Sequence, residues 1–156
     1  MNFELPGGTM LRVTDIMTTD VATATPDTTL REAVAILADN HFGGVPVLRG
    51  DKVVGVFSAA DLLAYLTDLN EGPPSDSLRR RRTSLEQVTV SELMTRELKS
   101  LSPNCTVEQA ADFMRQNQIH RVLVMDGSRL VGIVTTTDVA KAVAEHRLRT
   151  TTFVFG

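Results

Sequence analysis

The chain has 156 residues, 42% hydrophobic and 22% charged, values of an ordinary globular protein that exclude a disordered, collagen-like or highly charged tail sequence. The formal charge is −3 and aromatic residues make up 4%, with no Trp and one Tyr, so there is neither a global basic field for a polyanion nor a stacking surface for single-stranded nucleic acid. Cys105 is the only cysteine, which excludes an intrachain disulfide and a thiolate zinc cluster and fits a reducing, cytoplasmic compartment.

Residues 1–11 lack the basic start and long apolar stretch of a secretory signal, Pro6-Gly7-Gly8 reads as loop, and a flexible leader is expected. A short extended piece is predicted at Val21 to Ala24. A helix follows from Leu30, where Leu30, Ala33, Val34 and Leu37 recur at helical spacing behind a capping box of Thr29 and Glu32. Two β-rich runs, Val45 to Leu48 and Val53 to Phe57, flank a polar turn containing Gly50, and a second helix starts at Ala59. Residues 67–88 hold Gly72-Pro73-Pro74-Ser75 and the basic cluster Arg79 to Arg82 and read as a linker. Four arginines neutralise few phosphates in an otherwise acidic chain, so the cluster reads as a solvated connector rather than a nucleic-acid contact.

The same order returns over residues 89–145. An extended piece at Leu98 to Leu101 precedes a helix with Val107, Ala110, Ala111 and Met114 behind Thr106 and Gln109, then runs at Val122 to Met125 and Leu130 to Val134, then a helix from Thr136. Residues 146–156 are a tail. The longest strictly apolar run, Ala33 to Ala38, falls far short of the ~20 residues of a membrane span.

An offset of 77 aligns the two halves without a gap: Met17-Thr18 falls on Met94-Thr95, Pro26 on Pro103, Asn40 on Asn117, Gly50 on Gly127, Val54-Gly55 on Val131-Gly132 and Asp61 on Asp138. The chain is therefore two copies, 12–66 and 89–145, of a small α+β unit. One copy buries too little surface to be comfortably stable alone, so the two are expected to share a core.

The sharpest shared element is Gly55-Val56-Phe57-Ser58-Ala59-Ala60-Asp61, repeated as Gly132-Ile133-Val134-Thr135-Thr136-Thr137-Asp138. A β run ends at a hydroxyl residue and a helix begins there. Ser58 with Asp61, and Thr135 with Asp138, have the spacing of capping boxes. A strand-to-helix junction is also a natural seat for an anion, and an Asp one turn in can accept two hydrogen bonds from a ribose diol. The spacing leaves both readings open.

Taken in order and twice over, Asp15-Ile16-Met17-Thr18, Glu92-Leu93-Met94-Thr95, Val45-Pro46-Val47, Ile119-His120-Arg121-Val122-Leu123-Val124 and the two Gly-x-x-Ser/Thr-x-x-Asp elements resemble the cystathionine-β-synthase (CBS) domain pair, or Bateman module. The resemblance covers about residues 13–146. It implies a β-α-β-β-α unit repeated twice, α/β in the broad sense, packed through its sheets about a pseudo-twofold axis around clefts for adenosine-containing ligands such as AMP, ADP or ATP.

By the same resemblance Asp61 and Asp138 hold ribose, Ser58 and Thr135 meet phosphate, and Val21 with Thr23 and Leu98 with Ser100 line the adenine clefts. His120 and Arg121 of the second copy are expected to complete the cleft of Ser58 and Asp61. The other cleft faces Gly43 and Gly44 and lacks that charge. For Thr23 and Ser100 an ordinary strand position, for Arg121 a solvated strand edge and for His120 a structural role are the competing readings.

Dispersed His41, His120 and His146 exclude a metal site, and no Gly-x-Ser-x-Gly elbow or Gly-rich phosphate loop occurs. No enzymatic activity and no obligatory cofactor are expected. The resemblance implies a stand-alone regulatory module, homodimeric, acting on an unidentified partner protein. The alternative is a constitutive dimerisation or docking domain with empty clefts. The apolar supply of the second helices, Leu62, Leu63, Tyr65 and Leu66 with Val139, Ala140, Ala142 and Val143, exceeds one core-facing stripe and fits homodimerisation.

Overall fold

The computed structural model describes residues 3–4, 11–40, 43–69, 85–145 and 149–150. The basic cluster Arg79 to Arg82, His41, His146 and most of the leader and tail lie outside them. In chain order the elements are β1 (Phe3–Glu4), a 3-10 turn (Val13–Asp15), α1 (Leu30–Asp39), β2 (Gly44–Arg49), β3 (Lys52–Ser58) and α2 (Ala59–Leu69). They continue with α3 (Val90–Leu93), β4 (Ser100–Leu101), α4 (Val107–Asn117), β5 (Arg121–Asp126), β6 (Arg129–Thr135), α5 (Thr136–Ala144) and β7 (Arg149–Thr150).

The chain divides into two compact units, residues 22–98 and residues 1–21 with 99–156. These are not the two sequence repeats. Each unit combines the strands and helices of one repeat with the leading Met-Thr segment of the other.

In the unit 22–98, β2 and β3 form an antiparallel hairpin with Val45 opposite Phe57 and Arg49 opposite Lys52. Gly50 takes φ +63° at the first position of the two-residue turn, the left-handed backbone that glycine adopts without a Cβ penalty and that hairpin turns of this length require. Ala24 extends the hairpin in parallel: its N–H donates to the Pro46 carbonyl at 2.9 Å and its carbonyl accepts from the Leu48 N–H at 2.8 Å. Leu30 and Ala33 of α1, Val47, Phe57, Val90 and Met94 form the buried core.

The other unit repeats this plan with β4 parallel to β5 and β5 antiparallel to β6. Its core is Val13, Ala110, Met114, Val122, Val124 and Val134. The turn glycine Gly127 again has φ +63°. The hairpins even share an irregularity, a register shift at Val47/Leu48 and at Val124/Met125.

The helix caps differ in detail. At Thr106 the box is complete, with the hydroxyl accepting from Gln109 N–H at 3.1 Å and the Gln109 carbonyl oxygen accepting from Thr106 N–H at 2.9 Å. At Thr29 only half is made: the hydroxyl accepts from Glu32 N–H at 3.2 Å, and among the described residues Glu32 returns no bond.

Each leading segment is bound to the glycine-containing strand of its unit. Thr18 and Ile133 exchange two backbone hydrogen bonds of 2.9 Å, and Thr95 and Val56 exchange two of the same length. Met17 lies over Gly132 and Met94 over Gly55, so closely that a Cβ on Gly132 would stand 2.7 Å from the Met17 sulfur and 2.7 Å from the Thr18 carbonyl oxygen. On Gly55 the corresponding distances are 2.6 Å to the Met94 sulfur and 3.0 Å to the Thr95 carbonyl oxygen. A flexible thioether can move aside, whereas a paired carbonyl cannot move without breaking its ladder. Gly132→Ala should therefore destabilise the protein by about 1–3 kcal/mol, and more than Gly55→Ala, as measured by urea unfolding of the two variants beside the parent.

Candidate functional site

At the first strand-to-helix junction β3 ends on Ser58 and α2 begins at Ala59. Ser58 N–H donates to Asp61 Oδ2 at 2.8 Å, Ser58 Oγ donates to the same oxygen at 3.0 Å, and Asp61 N–H donates back to Ser58 Oγ at 3.3 Å. At the second junction Thr135 N–H donates to Asp138 Oδ2 at 2.8 Å and Asp138 N–H donates to Thr135 Oγ1 at 3.1 Å. Both junctions are thus capping boxes, as their spacing requires. All four side chains remain only half-buried, so capping leaves them open to solvent.

The remaining first-turn amides are partly used. Ala59 N–H donates to the Gly43 carbonyl at 3.2 Å, and Thr136 N–H to the His120 carbonyl at 2.9 Å. Among the described residues this leaves the amides of Ala60 and Thr137 without a protein acceptor at their helix starts, where the helix dipole favours negative charge.

The other expected residues divide between the units. Thr23 and Leu98 belong with Ser58 and Asp61, whereas Val21, Ser100, His120 and Arg121 belong with Thr135 and Asp138. Thr23 and Ser100 are exposed, and Val21 and Leu98 half-buried. Ser100 lies in β4 opposite Leu123. Arg121 opens β5 directly opposite Thr135 of β6, which puts their side chains on one face of the sheet with Cβ atoms about 5 Å apart. Gly44 stands in the equivalent place opposite Ser58 and brings no side chain. His120 is exposed and, with Met114, Arg115 and Thr136, walls an open depression of about 380 Å³.

One neighbour of the site escapes the sequence reading. The Thr95 hydroxyl donates to Asp61 Oδ1 at 3.0 Å, although the two residues are 34 positions apart. The repeated Met-Thr pair was the signal, but only the pairing of Thr95 with Val56 brings that hydroxyl to the carboxylate. Thr18 pairs with Ile133 in the same manner. Among the described residues its hydroxyl makes no bond to Asp138.

Among the described residues no three His, Cys, Asp or Glu side chains converge as a metal site, and no helix is long and apolar enough to cross a membrane.

The family model described as CBS domain matches twice, over residues 13–68 and 90–145. The CBS domain-containing protein YhcV of Bacillus subtilis is 34% identical over 131 residues, spanning 84% of each chain. An inosine-5'-monophosphate dehydrogenase of Thermoplasma acidophilum is 26% identical over 80% of this chain, which spans only 22% of that enzyme. Among solved structures, that of CBSX2 in complex with AMP superposes with a TM-score of 0.70 at 26% identity, covering 87% of this chain and 98% of the other. With both repeats matched and the paired junctions in place, the chain belongs to the CBS domain family, as a tandem pair of CBS motifs.

Proposed function

We propose that this chain is a regulatory module that binds adenosine-containing ligands of the AMP, ADP or ATP class and passes their binding on to a partner protein. The likeness to the AMP complex of CBSX2, over 87% of this chain, carries the reading. In it Asp61 and Asp138 take the ribose hydroxyls, Ser58 and Thr135 with the Ala60 and Thr137 amides face phosphate, and Val21, Thr23, Leu98 and Ser100 line adenine. Arg121, with His120, supplies charge to phosphate, because a charge-assisted bond is roughly twice as strong as a neutral one. The module works without an obligatory cofactor and without chemistry of its own, in the cytoplasm. Ligand shifts its conformational equilibrium only as far as the two states differ in affinity.

Homodimerisation belongs to the same reading. Leu62 and Tyr65 of α2 pack on the core of their unit, while Leu63 of the same helix is 64% exposed and Val143 of α5 48% exposed. These are the surplus apolar residues for which a second copy provides cover. Sedimentation at micromolar concentration should give twice the chain mass. A monomer would remove this part of the reading.

AMP should raise the melting temperature, by the equivalent of about 2.7 kcal/mol when free AMP is a hundredfold above its dissociation constant. Asp138→Ala should remove most of that gain at a smaller cost to the ligand-free protein. Equal losses with and without AMP would leave the Asp as a helix cap only, and a domain that no adenine nucleotide stabilises would be the constitutive docking alternative. Arg121→Ala should weaken AMP about tenfold while leaving adenosine nearly unchanged, a difference of ~1.4 kcal/mol. Repeating that titration in Asp61→Ala and Asp138→Ala backgrounds tells which carboxylate shares its ligand with Arg121.

A further inference from the structure

The two ribose-binding carboxylates are not equally available, and the difference lies in the hydrogen bonds the protein already makes to them. A carboxylate offers about four acceptor positions. Asp61 has three of them taken: Oδ2 accepts from Ser58 N–H and Ser58 Oγ, and Oδ1 accepts from Thr95 Oγ1 at 3.0 Å. Asp138 has one taken, by Thr135 N–H on Oδ2, and among the described residues its Oδ1 accepts nothing. A vicinal diol donates two hydrogen bonds. Asp138 has room for both, whereas Asp61 has room for one until Thr95 or Ser58 lets go.

The hydroxyls tell the same story independently. Ser58 Oγ spends its proton on Asp61 Oδ2, so it presents no donor to a phosphate. Thr135 Oγ1 accepts from Asp138 N–H and, among the described residues, donates to nothing, so its proton is available to an anion.

We propose that Thr95 is a positioning residue that latches Asp61, making the Thr135–Asp138 junction the first to take a ribose and the Ser58–Asp61 junction a second, latched one. The inference rests on the ligand reading above and names a control within it. Taking both bonds of a diol at the latched site requires the Thr95 hydroxyl, or Ser58, to give up its bond to the carboxylate. The neutral hydroxyl competes with the ligand for one oxygen, so its removal frees an acceptor without changing charge. This order is the reverse of the one expected from the sequence, in which His120 and Arg121 complete the Ser58–Asp61 cleft, whereas Arg121 stands opposite Thr135.

Calorimetric titration with AMP tests the latch in a background where only one site remains. Asp138→Ala leaves the Ser58–Asp61 junction and should bind weakly. Adding Thr95→Val, which keeps the shape and removes the donor, should tighten that binding about tenfold or more, the worth of one hydrogen bond to a charged group. Adding Thr95→Ser instead, which restores the donor, should leave it weak. In the Asp61→Ala background Thr95→Val should change nothing. Unfolding of each ligand-free variant checks that it is folded; should Thr95→Val not fold, Thr95→Ala replaces it with the same expectation. Unchanged AMP affinity in Asp138→Ala with Thr95→Val, while single Asp variants still each remove a site, overturns the latch and leaves the ligand reading standing. Absence of AMP binding in the unaltered protein overturns the ligand reading and the latch with it.

Discussion

The close approach of a Met-Thr segment to a bare glycine is the constraint on which both units depend. A backbone carbonyl and a thioether occupy the space that a Cβ on Gly55 or Gly132 would need, and the segment is then held by a reciprocal pair of backbone bonds. The glycine is required there for absence of volume rather than for an unusual φ, unlike Gly50 and Gly127, which need the left-handed backbone. Because Met94 is part of the buried core, the same contact that docks the segment also closes the interior.

That docking has a chemical consequence three residues beyond each glycine. The glycine-containing strand runs straight into the hydroxyl-and-Asp junction, so whatever is laid across the strand comes to rest beside the junction. At Gly55 this delivers a threonine hydroxyl to a carboxylate; at Gly132, among the described residues, the equivalent threonine makes only its backbone bonds. Two junctions of similar sequence thus differ by which acceptor positions the protein itself fills. Bonds of this kind, to a charged group, are worth about 1.5–3 kcal/mol, roughly tenfold or more in occupancy.

In the proposed reading the junctions serve the fold and the ligand with the same atoms. One carboxylate oxygen of each Asp is committed to the backbone N–H of the cap residue, which restrains the side chain's rotamer. A cap is therefore also a preorganised acceptor, its ordering entropy already met in folding. Arg121 opposite Thr135, and Gly44 opposite Ser58, carry the asymmetry into the neighbouring strand.

The duplication, the order of elements, both hairpins and the capping boxes at Ser58 and Thr135 were determined by the sequence by itself, because each depends on residues within a few positions of one another. Periodicity located Leu30, Ala33, Ala110 and Met114 in the core, and the turn glycines fell where two-residue loops need them. The resemblance carried by Met-Thr, Gly-x-x-Ser/Thr-x-x-Asp and Ile-His-Arg led to the family. Which pieces form a unit was decided only in three dimensions: residues 1–21 join 99–156, since a Met-Thr segment can pair with any strand whose glycine admits it. The bond from Thr95 to Asp61 and the placing of Arg121 beside Thr135 were likewise set by strand pairing. Aligned positions such as Thr18 and Thr95 look interchangeable in sequence, and only the geometry of their hydroxyls distinguishes them.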